Sequence, residues 1–257
     1  MSFFKKMLAS VGVGAAKVNT ELDTPEVIPG GVLSGTVYIQ GGDVEQNVDR
    51  IYLTINTHYI RERDDRKHKE TAVVAKYLLT DRFTLQPGQR LEKYFSFDLP
   101  DNLPLTLQSA EVWVETGLDI SSALDPSDRD LIRVVPTQEM GVVLDAIDML
   151  GFRLREVTND YAPRLGGNLP FVQEFEFVPT SKFRGYLDEI EVLFYPMGNT
   201  LELLMQIDRR ARGLSGIFSE AMGTDETYVR FTLEARHLQR GPASVAQGLE
   251  EIISKHI

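Results

Sequence analysis

The chain has no cysteine, one tryptophan and four histidines in 257 residues. Without thiols there is no disulfide, no thiolate nucleophile and no cysteine-ligated zinc site. Positive charge is also scarce: 27 Lys and Arg stand against 38 Asp and Glu, a formal net charge of −11. That balance argues against general binding to a phosphate backbone, which needs clustered cations, so nucleic acid is not an expected partner. No apolar run reaches the roughly 18 residues of a membrane-spanning helix. The motifs G-x-x-x-x-G-K-[ST], H-E-x-x-H and G-x-S-x-G are missing. Gly12-Val13-Gly14 is a fragment of a dinucleotide loop, without a preceding strand or a third glycine. His58, His68, His237 and His256 are far apart along the chain. No enzyme, catalytic residue or cofactor is therefore expected.

Hydrophobic residues make up 42% and charged residues 25%, which suits a folded protein and argues against disorder. A chain of this length buries a sizeable core without covalent staples. The expected location is cytoplasmic. Met1–Leu8, MSFFKKML, does not read as a secretory signal. Phe3, Phe4, Met7 and Leu8 can share one face of a short helix, but so short a helix buries little area, so membrane binding is expected to be weak or absent.

What is present is alternation with period two. Leu33, Val37 and Ile39 share a face, as do Ile51, Leu53, Ile55 and Tyr59. Val73 to Leu79, Leu91 to Leu99 and Val112 to Ile120 follow the same pattern. Strands with one buried and one wet face belong to antiparallel sheets. Turn residues such as Pro29-Gly30-Gly31, Gly41-Gly42 and Pro87-Gly88 separate them, the spacing of a β-sandwich. From Thr137 the period changes: Met140, Leu144 and Ile147 recur at helical spacing, with Thr137 as N-cap and Gly151 as the left-handed stop. Alternation resumes at Phe171–Phe177, Ile190–Phe194, Leu201–Ile207 and Val229–Leu233. A short closing helix begins at Pro242, with Val245, Leu249 and Ile252 as its apolar stripe. The expected fold is mainly β: two antiparallel β-sandwich-like units, 1–135 and 136–257, a helix between them and a short C-terminal helix. A single long sandwich is the alternative.

Four features are candidates for function. The mixed-sign run Arg61 to Glu70 reads as a solvated hairpin loop, or as a contact surface for a charged partner. Arg209, Arg210 and Arg212 can grip an anionic partner or pair with Asp208, Glu189 or Glu191 of the same chain. Trp113, on the more polar face of its strand between Glu111 and Glu115, can anchor a partner or pack between the units. The segment Asp125 to Asp130 reads as a turn whose carboxylates cap backbone N–H groups; holding Ca²⁺ or sensing a small molecule is the alternative function, although the glycine and distal Glu of an EF-hand loop are absent.

The stretches Pro29–Gly35, Phe95–Pro104 (FSFDLPDNLP), Trp113–Asp119, Asp125–Val135 (DPSDRDLIRVV), Leu165–Phe177 (LGGNLPFVQEFEF) and Phe194–Gly213 resemble, nearly end to end, the bacterial sporulation-control protein family. The resemblance implies an arrestin-like fold in both β-sandwich units. It also implies a non-enzymatic, cytoplasmic regulator acting at the onset of sporulation. Its partners would be other proteins, at cell division or the envelope, reached at the membrane or septum through those partners. Arrestin-like proteins carry a buried cluster of opposite charges between their domains. The candidates here are Arg61, Arg63, Asp119, Asp125, Asp128, Asp130 and Arg133. Exposed strand edges pair readily, so a homodimer is also expected.

Overall fold

A computed structural model of the chain describes residues 15–121, 125–208 and 228–256. Phe3, Phe4, Met7 and Leu8, and also Arg209, Arg210 and Arg212, lie outside those residues. The chain divides into two compact units. One comprises Met1–Thr57, Val73–Leu103 and Glu111–Val134; the other comprises His58–Ala72, Pro104–Ala110 and Val135–Ile257.

The strands in the first half are β1 (Lys17–Leu22), β2 (Glu26–Val27), β3 (Val32–Gln40), β4 (Gln46–Arg63), β5 (Arg66–Thr80), β6 (Phe83–Leu85), β7 (Arg90–Asp98), β8 (Val112–Ile120) and β9 (Ser127–Val134). In the first unit β3 lies between β1 and β7, antiparallel to both. A second layer joins β4 to β8 and β8 to β9, with β2 beside β9. Every second residue of the long strands points into the space between the layers. Leu33, Val37, Ile39, Ile51, Leu53, Ile55, Val112, Val114 and Leu118 fill it and are buried. Gly35 lies opposite Leu22 of β1, and a Cβ there would lie 2.4 Å from the Glu21 carbonyl oxygen.

The second unit continues with helix α1 (Gln138–Met149), β10 (Phe152–Tyr161), β11 (Phe171–Pro179), β12 (Glu189–Met197), β13 (Thr200–Asp208), β14 (Tyr228–Leu233), the short α2 (Ala235–Leu238) and α3 (Pro242–Ser254). The five strands form an antiparallel sheet in chain order. The end of β4 pairs in parallel with β10 at Ile60 and Asp160. Thr137 caps α1, its Oγ1 accepting the Met140 N–H, and Gly151 ends the segment at φ 80°. The buried side of α1 is Met140, Val143, Ala146 and Ile147; Leu144 is only half-buried. In α3, Ala246 and Ile253 join Val245 and Leu249 as the buried residues. Both helices follow the apolar spacing of the sequence, shifted by about one position, because a stripe about 100° wide takes in neighbours of the periodic residues.

Candidate functional site

The register of β10 to β13 sorts the second unit's sheet into two unlike faces. Glu176 lies opposite Glu156 on one side and Glu191 on the other. Glu174 lies opposite Thr158 and Leu193, and Glu191 opposite Gln206. Cross-strand partners point to the same side, so one face carries Glu174, Glu176, Glu189 and Glu191 together. The other carries Val157, Phe175, Phe177, Ile190, Val192, Met205 and Ile207, the expected apolar layer. Phe175 meets Phe194 edge to face at 4.8 Å between ring centres.

The acidic face is not a wet one. Glu174 is 7% exposed, Glu189 6% and Glu191 3%. Arg155 answers two of the face's glutamates. The Arg155 guanidinium forms ion pairs with both Glu176 and Glu189. It reaches them through a bulge: β10 and β11 shift register between Leu154 and Glu156, so Arg155 and Glu156 together face Glu176. Glu174 has no such partner. Its Oε2 accepts no hydrogen bond from the described residues. Burial, followed by the negative charge of Glu191, pushes its carboxyl up to about 9. At neutral pH Glu174 is therefore a carboxylic acid. Burial also raises Glu189, opposed by Arg155.

Sequence reading singled out Glu189 and Glu191 as internal partners for arginine, but not Glu174, Glu176 or Arg155. The alternation in Gln173–Phe177 and Glu189–Val192 tells which side chains share a face. It does not tell that the glutamate face is covered, and no residue type in those segments carries that signal.

The first unit holds a second carboxylate group. Asp128 and Asp130 stand on the face of β9 that turns toward β1. The Thr20 backbone N–H donates to Asp128 Oδ2 at 2.6 Å, and the Thr20 and Thr116 hydroxyls meet at 2.7 Å. Burial, then the charge of Asp128, lifts the Asp130 carboxyl to about 6. Asp125 accepts the Ile120 N–H at 2.9 Å. Asp125 and Asp128 thus satisfy backbone donors, as a turn requires. No group of three or more His, Asp or Glu side chains among the described residues is arranged to hold a metal ion. Asp119 pairs with Arg50 at 3.7 Å and Arg133 with Glu26 at 3.0 Å, both at the surface. Trp113 is 3% exposed, with the Arg129 guanidinium 3.9 Å above its ring. Arg129 of β9, in the same unit, covers the ring on the face opposite Val112 and Val114, so a partner would meet Arg129 first.

Arg61 and Arg63 belong to the second unit, on the hairpin of β4 and β5. Arg61 lies 4.0 Å over the ring of Tyr161, and Arg63 pairs with Glu70 at 3.3 Å.

A model of the SpoOM protein family matches residues 4–211. The sporulation-control protein spo0M of Bacillus subtilis (strain 168) is 42% identical over all of this chain and 99% of its own length. The crystal structure of Spo0M from Bacillus subtilis superposes with a TM-score of 0.89 at 38% identity, covering 95% of this chain and all of that one. The mainly β, arrestin-like architecture expected from the sequence, with its short C-terminal helix, is the one observed. By sequence over most of its length and by fold over nearly all of it, the chain belongs to the SpoOM protein family.

Proposed function

We propose that the chain is a regulator of sporulation that works as a protein-interaction scaffold. The observation that supports this reading is its full-length likeness to a protein named for sporulation control. The architecture suits the role: broad sheets, a long charged hairpin, and polar clusters that hold loops and strands in place. The reading carries its finer expectations with it: a cytoplasmic protein without catalysis, brought to the membrane or septum by its partners.

The test is complementation. Bacillus subtilis lacking its own relative is given this chain at native expression level, and heat-resistant spores are counted. Restored spore yield supports the reading; a yield no different from the empty vector overturns it. Strand β14 pairs only with β13 among the described residues, so its outer edge is a template for a second copy. That edge supports the expectation of a homodimer, for which light scattering across micromolar concentrations should return twice the chain mass of 29.0 kDa.

A further inference from the structure

The hairpin of β4 and β5 turns at Asp64 and Asp65, which both have left-handed backbone, at φ 52° and 57°. Two successive positive φ values make the tight turn whose twist matches that of antiparallel strands. A two-residue turn fixes the alignment: Arg63 faces Arg66, Arg61 faces His68, and Tyr59 faces Glu70. The last pairing is visible directly, because the Tyr59 hydroxyl donates to Glu70 at 2.5 Å. Directly opposed residues share a face. One face of the hairpin therefore gathers Arg61, Arg63, Arg66 and His68 around a single carboxylate, Glu70. That carboxylate is held below its ordinary range, first by the Tyr59 hydrogen bond and then by Arg63, Arg61 and His68. The other face alternates Ile60 and Glu62 with Lys67 and Lys69.

Two things set the first face apart from an ordinary solvated loop. Like charges directly opposed, as Arg63 and Arg66 are, cost stability, and Glu70, which already accepts from Tyr59 and pairs with Arg63, is one carboxylate for three guanidinium groups. The arginine at its base is also pre-set. Phe171, Tyr59 and Tyr161 stack with ring centres 5.8 Å and 6.2 Å apart, and Arg61 rests on Tyr161. A stacked guanidinium keeps its edge N–H groups free to grip a carboxylate in two-pronged fashion and loses less freedom in doing so.

We infer that the Arg61–Arg63–Arg66–His68 face of this hairpin docks a carboxylate-rich segment of a partner protein. The inference rests on the reading of the chain as an interaction scaffold and names the chemistry of what it takes. Charge complementarity carries it: this is a basic face on a chain of net charge −11, so acidic segments are drawn to it and repelled elsewhere.

The experiment titrates the full chain against a short fluorescein-labelled peptide of alternating Glu and Ser, read by anisotropy. Three proteins are compared: wild type, Arg63→Glu/Arg66→Glu, and Lys67→Glu/Lys69→Glu. The two variants carry the same change in charge on opposite faces of one hairpin, and equal melting temperatures confirm that all three are folded. At roughly 0.1 M salt, where charges interact over about 10 Å, the Arg63/Arg66 variant should bind about tenfold more weakly and the Lys67/Lys69 variant within about threefold of wild type. Equal losses in both variants overturn the inference, since diffuse charge would then explain the binding. So does the absence of binding to wild type. Phosphatidylcholine vesicles with and without phosphatidylserine form a further arm. Capture on the phosphatidylserine vesicles, lost in the Arg63/Arg66 variant while the peptide does not bind, reassigns the face to a lipid surface. Peptide binding is read apart from spore yield: a chain that restores sporulation yet binds no peptide overturns this inference and leaves the scaffold reading standing.

Discussion

Replacing Glu174 by Gln should raise the melting temperature at pH 8 and leave it nearly unchanged at pH 4. The sign follows from proton counting. In the unfolded chain Glu174 ionises near the ordinary glutamate value, while in the folded sheet it holds its proton up to about 9. Between those two values the folded state binds one more proton than the unfolded state, so stability falls as pH rises. Below the lower value both states are protonated and the effect vanishes. Gln keeps the shape of the protonated acid and has no proton to lose. An effect on the order of 1–2 kcal/mol at pH 8 is expected, or roughly 3–6 °C for a chain of this size. Thermal melts of both proteins at pH 4, 6 and 8 decide it. A Gln variant that tracks the wild type at every pH would mean that Glu174 is ionised and compensated in the folded state.

Replacing Gly35 by Ala should lower the melting temperature by about 6–10 °C, a loss on the order of 3 kcal/mol from forced overpacking against backbone. The added methyl group would meet the Glu21 carbonyl oxygen at 2.4 Å and the Leu22 Cα at 3.0 Å. Neither atom is the end of a flexible side chain, so β1 has to move. Displacing β1 also pulls the Thr20 N–H from Asp128 and its hydroxyl from Thr116. The contrast is Gly141, in α1, where nothing lies within 4 Å of the added carbon. There the same change removes a helix-interior glycine and should raise stability by about 0.5–1 kcal/mol. Opposite signs for one chemical change test the packing of β1 on β3 directly. Two shifts of the same sign would contradict it.

Most strands were legible because their apolar residues recur at every second position. β3, β4, β7, β8 and β11 to β14 show this plainly. The strands that escaped do so for physical reasons. β1, KVNTEL, carries too few apolar residues to show a period. In β9, Asp128 and Asp130 occupy positions facing β1, so charge sits where the pattern expects an aliphatic. In β10 the bulge at Arg155 breaks the count of two halfway along. The candidate site was legible in part for a related reason. Tyr59, Arg61 and Arg63 share a face by simple alternation. The buried glutamates of β11 and β12 also alternate correctly, but hydropathy reads any glutamate face as solvent. Only the folded environment shows otherwise.

That bulge has a consequence for how this sequence can vary. Arg155 is the extra residue, and it links Glu176 on β11 to Glu189 on β12. Losing the arginine alone leaves two carboxylates stranded in a covered site, and losing one glutamate alone leaves the guanidinium half-answered. Drift at these positions is therefore expected in sets. Among chains that keep this sheet, residues 155, 176 and 189 should be inherited as a block. Where the block is exchanged for apolar residues, the one-residue insertion in β10 loses its purpose and should disappear with it.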